Sequence, residues 1–214
     1  MNFVNTHPEL IGKHALLGAS KHSWLNYETD EKIVQAYVNS FAAPLGTAVH
    51  EFARNRIEKR IRIEDDKGSR DALLIHLIDS KIPLHAFDLE SVFVNMMPYV
   101  NDAIGFKMTP EVLLYYSDNA FGWADSINYS RNTLRIHDLK TGSGPVSMDQ
   151  LMVYAGFFYL QHKREANLQK SKTELRIYKN QEVVVHTPTN HQIAAVMDKI
   201  IHADKVVDNY LMEG

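Results

Sequence analysis

The sequence predicts an α/β (α+β) protein with helices packed on a central mixed sheet. Three observations carry that expectation. Apolar residues recur at helical spacing through the first half of the chain. From Glu111 onward, short runs rich in β-branched and aromatic residues alternate with turn residues. A strongly apolar helical stretch then precedes two further strand-like runs and a long amphipathic tail, and this alternation argues for stacked layers.

In chain order, TDEKIVQAYVNSF (29–41) has helical spacing and a Thr/Asp start. PLGTAVHEFARNRIEKRIRI (44–63) follows, with Pro44 and Gly46 punctuating its beginning and Val49, Phe52, Ala53 and Ile57 on one side. Residues 70–79 and 88–104 also read as helices. EVLLYYS (111–117), WADSINYS (123–130) and TLRIHDLKT (133–141) read as three strands of a meander. SDNAFG separates the first two, and Arg131-Asn132 makes a tight turn between the last two. SMDQLMVYAGFFYLQHKRE (147–165) is a helix with Ser147 as its cap, and Met152, Phe157 and Phe158 read as core. ELRIYKN (174–180) and EVVVHT (182–187) form a hairpin, and residues 189–213 an amphipathic helix. The reading is one domain, 1–214. Residues 46–63 and 108–214 make its core, and 1–45 and 64–107 are helical additions.

Composition narrows the function. The chain has 214 residues, 45% hydrophobic and 23% charged, ordinary for a soluble domain. No uncharged apolar stretch is long enough to cross a membrane, and the N-terminus lacks the pattern of a signal peptide, so a cytoplasmic protein is expected. Absent cysteine excludes disulfides, zinc-thiolate sites and iron–sulfur clusters. A net charge of −3 means that any nucleic-acid contact must come from a local basic patch. HExxH and P-loop patterns are missing.

The chemistry gathers around IHDLKTG. Residues two apart on a strand share a face, so Asp138 and Lys140 point the same way and Leu139 the other. Asp-x-Lys by itself fits a plain ion pair. Asp125 in GWADS lies on the preceding strand, and pairing about the 131/132 turn sets it roughly opposite Asp138. Two facing carboxylates repel unless a cation sits between them. His50 in GTAVHEFA is a helical histidine that gains meaning only from those carboxylates. Gln150 and Tyr154, four apart, share a helix face just beyond the Lys140 strand end, where they can fix the lysine or touch a phosphate.

GTAVH, GWAD, IHDLKTG and QLMVY together resemble the successive motifs of the PD-(D/E)XK nuclease superfamily, in its RecB-like branch. Within it the chain looks most like small exonucleases encoded by bacteriophages, relatives of the CRISPR-adaptation nucleases. The motifs span 46–154, about half the chain. The resemblance implies a restriction-endonuclease-like core and divalent-metal-dependent DNA hydrolysis with Mg²⁺ or Mn²⁺. It makes Asp125 and Asp138 metal-binding carboxylates, His50 a metal ligand, Lys140 the catalytic lysine and the Leu139 carbonyl part of the metal shell. Gln150 and Tyr154 become the branch's helix motif, and Glu111 an acidic residue beside or on the metal. The CRISPR-adaptation relatives carry four cysteines around an iron–sulfur cluster, and this chain has none. The expected activity is a DNA exonuclease serving phage recombination, replication or degradation, acting on linear duplex or single strands, with a recombination or replication protein as a possible partner. Alternatives are a structure-specific or nicking endonuclease on the same fold and a catalytically silent DNA-binding subunit.

For the DNA path, Arg54, Arg56, Lys59 and Arg60 cluster on and after the His50 helix, and HKREANLQKSK (162–172) adds a second basic run; a solvated helix face explains either equally well. Trp24 and Trp123 can stack on bases, although core packing is the simpler expectation for both.

Overall fold

The computed structural model describes residues 15–17, 19–142 and 144–212. The described residues fall into two compact units that divide between Pro44 and Leu45. In the first, a 3-10 segment (Ala19–Asn26) holds a half-buried Trp24. Helix α1 (Asp30–Ser40) follows, begun by Thr29, whose hydroxyl accepts from the Lys32 N–H. Helix α2 (Ala42–Glu58), which belongs to the second unit from Leu45 onward, starts two residues before the sequence suggests. Pro44 sits inside its first turn, where no intrahelical partner exists for the missing N–H.

The second unit has helices α3 (Lys67–Asp79) and α4 (Leu89–Gly105), then strands β1 (Thr109–Ser117), β2 (Ala120–Ser130) and β3 (Thr133–Leu139). Helix α5 (Asp149–Gln161), strands β4 (Lys172–Lys179) and β5 (Glu182–His186) and helix α6 (Asn190–Met212) complete it. The sheet is mixed, ordered β1-β2-β3-β4-β5, with β3 and β4 parallel and the other pairs antiparallel. The parallel pair requires a crossover, which α5 provides. Both tight hairpin turns, Arg131-Asn132 and Asn180-Gln181, have two successive positive φ angles, the geometry that matches strand twist.

Several boundaries differ from the sequence reading. Ser147 does not cap α5: Met148 holds that position without a side-chain bond, and Ser147 Oγ accepts from the Asp149 N–H instead. The helix of 44–63 ends at Glu58. Arg60 takes a left-handed φ of 54°, and the Ile61 N–H bonds back to the Arg56 carbonyl. Helices α3 and α4 stop the same way, with Lys81 and Lys107 in left-handed backbone and Ile82 and Met108 returning bonds to Leu77 and Ala103. A cation at each of these helix ends complements the dipole, though glycine would hold the backbone with less strain.

Residues 64–107 are not only an addition to the core. Within them, α4 buries Phe93, Met96, Tyr99, Val100 and Ala103 and packs on β3 and β4. Its apolar face has to be covered, and the sheet covers it. The other face of the sheet carries Leu134, Ile136, Leu175 and Ile177 beneath α5, with Leu151, Ala155, Phe157 and Phe158 inside. Helix α6 lies on α5 at Gly156, where an added Cβ would stand 2.8 Å from Ile200 Cδ1.

Trp123 is not in the core. It is 54% exposed, and its cross-strand neighbour Leu113 is exposed as well.

Candidate metal centre

Register places the acidic residues. Ser126 pairs with His137 and Ile127 with Ile136, so one further step sets Asp125 across from Asp138. Pro110 pairs with Ser126 and Val112 with Ala124, which sets Glu111 across from Asp125. Three carboxylates thus lie side by side on adjacent strands. Alternation breaks at this level. Ala124 and Ile127, three positions apart, both reach the cluster that includes α5, and Glu111 adopts a left-handed φ of 52°. For a residue with a Cβ that backbone costs on the order of 1–2 kcal/mol, and strain of this kind gathers at functional sites.

Helix α2 brings the imidazole. Leu45, Ala48, Val49, Phe52, Ala53 and Ile57 are buried and fix its face, leaving His50 and Arg54 at the margin one turn apart. Gly46 lets the helix start close to the loop after Lys140: an added Cβ would lie 3.1 Å from Thr141 Oγ1. His50 Nδ1 stands 3.5 Å from Asp125 Oδ2. One ligand atom each from His50, Glu111 and Asp125 lies within 4.8 Å of the others. Burial pushes the Asp125 carboxyl up to about 6; His50 opposes this, Asp138 adds to it, the Leu139 N–H opposes it, and Glu111 adds to it. That N–H, donated at 2.9 Å to Asp125 Oδ2, is the Leu139 backbone group that meets the carboxylate.

Asp138 stands slightly apart, outside the 4.8 Å group, and is only 3% exposed. Lys140 Nζ donates to its Oδ1 at 3.1 Å and lies 3.0 Å from Oδ2. Oδ2 nevertheless accepts no aligned hydrogen bond, so one buried carboxylate oxygen retains an unused acceptor. Lys140 Nζ also donates to Gln150 Oε1 at 2.7 Å, and Gln150 Nε2 donates to Tyr154 Oη at 3.0 Å. Burial raises the Tyr154 hydroxyl above its ordinary range. The Tyr154 ring is seated over Gly122, where an added Cβ would meet Cε1 at 2.7 Å. Asp138, Lys140, Gln150 and Tyr154 therefore form one hydrogen-bonded chain, and of the two roles open to the Gln/Tyr pair the structure displays the fixing of the lysine.

A cleft of about 530 Å³ opens over the trio, with Thr47, Glu51, Arg54 and Trp123 also on its walls. Of the basic residues singled out in the sequence, only Arg54 lines it. Arg56 stacks on Phe52, its guanidinium 4.9 Å from the ring centre, and lines a separate depression with Lys59. Arg60 is the left-handed residue after α2. Thr47 and Glu51 were not singled out; their signal is helical spacing about His50. The donor set of one imidazole and two carboxylates, with the spare oxygen of Asp138 nearby, fits a hard or borderline divalent cation.

Among the described residues no helix is long and apolar enough to cross a membrane. No curated protein and no solved structure matches the chain. Residues 14–178, well over half of the chain, match the family described as "Protein of unknown function (DUF2800)", and the chain belongs to that family.

Proposed function

We propose that this protein is a divalent-metal-dependent deoxyribonuclease of the PD-(D/E)XK kind, acting as an exonuclease. The observation that carries the reading is the line of Glu111, Asp125 and Asp138 across three adjacent strands, with His50 on one side and Lys140 on the other. Phosphodiester hydrolysis needs an anionic substrate neutralised and an attacking water activated. His50, Glu111 and Asp125 would hold Mg²⁺ or Mn²⁺, with Asp138 adjoining. A bound divalent cation supplies Lewis acidity toward a phosphate oxygen and a more acidic water.

The chain's own residues do the rest. Lys140 is an ammonium with three donors, and Asp138 and Gln150 take two of them. The third is left for a phosphate oxygen or the incoming water. An ammonium held this way acts as a charged donor, which favours stabilising the pentacovalent phosphorus over abstracting a proton. Tyr154 holds Gln150, Gln150 holds Lys140, and the seat at Gly122 holds Tyr154. Arg54 supplies positive charge on the cleft wall for the substrate backbone. The resemblance to small phage-encoded exonucleases supports a role in phage DNA recombination, replication or degradation in the host cytoplasm.

The test uses end-labelled linear DNA and covalently closed circular DNA, each with Mg²⁺, Mn²⁺ or EDTA, beside Asp138→Ala and Lys140→Ala. Loss of linear substrate only, requiring metal and both residues, is the expected result. Cutting of the circle would make the protein an endonuclease of the same fold. Cleavage that survives both substitutions, or none on any substrate, would overturn the assignment.

A further inference from the structure

The face of the β1–β2 hairpin turned away from α5 carries large side chains that stay exposed among the described residues. Leu113, Tyr115, Phe121 and Trp123 are all exposed, Phe121 and Trp123 each at 54%. They are cross-strand neighbours, Leu113 with Trp123 and Tyr115 with Phe121, so they form one ladder rather than scattered surface residues. The Tyr115 and Phe121 rings lie 24° from parallel with centroids 6.5 Å apart. The next positions in the same register are Glu111 and Asp125, and Trp123 lines the cleft that holds them. The ladder is thus a continuation of the candidate metal centre.

Its composition selects the occupant. Three of the four side chains are aromatic, where a self-association patch would be served equally by aliphatic residues. Trp123 and Phe121 are two residues apart on one strand, about 6.8 Å at the usual strand rise. That is about twice the ~3.4 Å between stacked bases of a duplex strand. Bases in a duplex have both faces covered by their neighbours; only an unpaired strand can offer faces to a protein ring. At the hairpin tip, Asp118 accepts from Tyr115 Oη, and Asp204 and Asp208 hold Asn119. Negative charge therefore closes the far end to a phosphate backbone, while Arg54 marks the near end.

We propose that Trp123, Phe121 and Tyr115 are a stacking platform for two or three unpaired bases, which leads a single DNA strand into the cleft. This rests on the nuclease reading for its purpose and not for its test. Affinity is measured in EDTA, where metal-dependent cleavage is off, with a labelled single-stranded oligonucleotide and its duplex. Intrinsic tryptophan emission is followed in parallel, since the chain has only two tryptophans.

The expected result is tighter binding of the single strand than of the duplex, with quenching that disappears in Trp123→Phe. Trp123→Ala and Phe121→Ala each weaken single-strand binding about tenfold, within the range of one base–aromatic stack, and leave duplex affinity and Tm unchanged. Trp123→Phe keeps most of the affinity. Equal affinity for both substrates with no effect of Trp123→Ala overturns the platform. So does a concentration-dependent dimer in sedimentation that Trp123→Ala dissolves without changing DNA binding. If the platform behaves as expected but no metal supports cleavage, the platform stands and the nuclease reading falls. Metal-dependent cleavage indifferent to Trp123→Ala leaves the nuclease standing and removes the platform.

Discussion

Replacing Asp125 with asparagine should make the metal-free protein more stable. Asp125 is charged at neutral pH in a place that resists charge: burial and the neighbouring Asp138 and Glu111 carboxylates raise its carboxyl to about 6, against 3.8 for the free group. A carboxyl raised in the folded state binds more protons folded than unfolded between those values. Unfolding free energy therefore falls as pH rises from about 4 to 6 and stays reduced above that. The gap, at about 1.4 kcal/mol per pH unit, corresponds to about 3 kcal/mol. The asparagine oxygen would take the place of Oδ2, which accepts the Leu139 N–H and faces His50 Nδ1, and the NH₂ would take the place of Oδ1. For a chain of this size, at about 2–4 °C per kcal/mol, the gain is roughly 6–12 °C in Tm. The assay is thermal unfolding of wild type and Asp125→Asn in EDTA at pH 8 and pH 4, then at pH 8 with excess Mn²⁺. The variant should lead at pH 8, lose its lead at pH 4, and fall behind wild type as metal is added. A variant no more stable than wild type in EDTA at pH 8 would refute the argument that the site is held together at a cost that the metal relieves.

On the α4 side of the neighbouring strand β3, His137 is fully buried between Phe106 and Tyr178. Burial, with Arg176 and Arg135 nearby, lowers its imidazole to about 3, so the unfolded chain binds more protons below about 6.5 and stability is lost as pH falls. Nδ1–H donates to Tyr178 Oη, whose own proton goes to Asp102. His137→Asn should be less stable than wild type at pH 7, and that deficit should shrink by about 2 kcal/mol at pH 5, read by urea unfolding. The slope opposes that of Asp125, so each must be read as a difference from its own variant. Gly156→Leu should cost about 2 kcal/mol or more by forcing α6 off α5, whereas Gly156→Ala gains helix propensity that offsets most of a contact a flexible Ile200 end can yield.

The order of helices and strands, the Arg131-Asn132 turn and the clustering of Asp125, Asp138 and Lys140 at neighbouring strand positions were legible in the sequence. Periodicity and turn chemistry are local, and so is the two-residue spacing that puts Asp138 and Lys140 on one face. Even the opposition of Asp125 and Asp138 followed from counting out from the Arg131-Asn132 turn. What lay beyond reach depended on which surfaces meet. Helix α4 reads as an addition until the sheet is seen to need a cover on that side. Trp123 reads as core because its residue type usually is, yet it lies on the face of the hairpin turned away from α5 and is left exposed among the described residues. Glu111 reads as peripheral, but a left-handed residue at its position breaks the alternation and the register carries it beside Asp125 and His50. Asp138 reads as a ligand by motif, and packing additionally sets the Lys140 ammonium against it. Spacing along a chain fixes which residues share a face; only the packing of distant elements decides what that face looks onto.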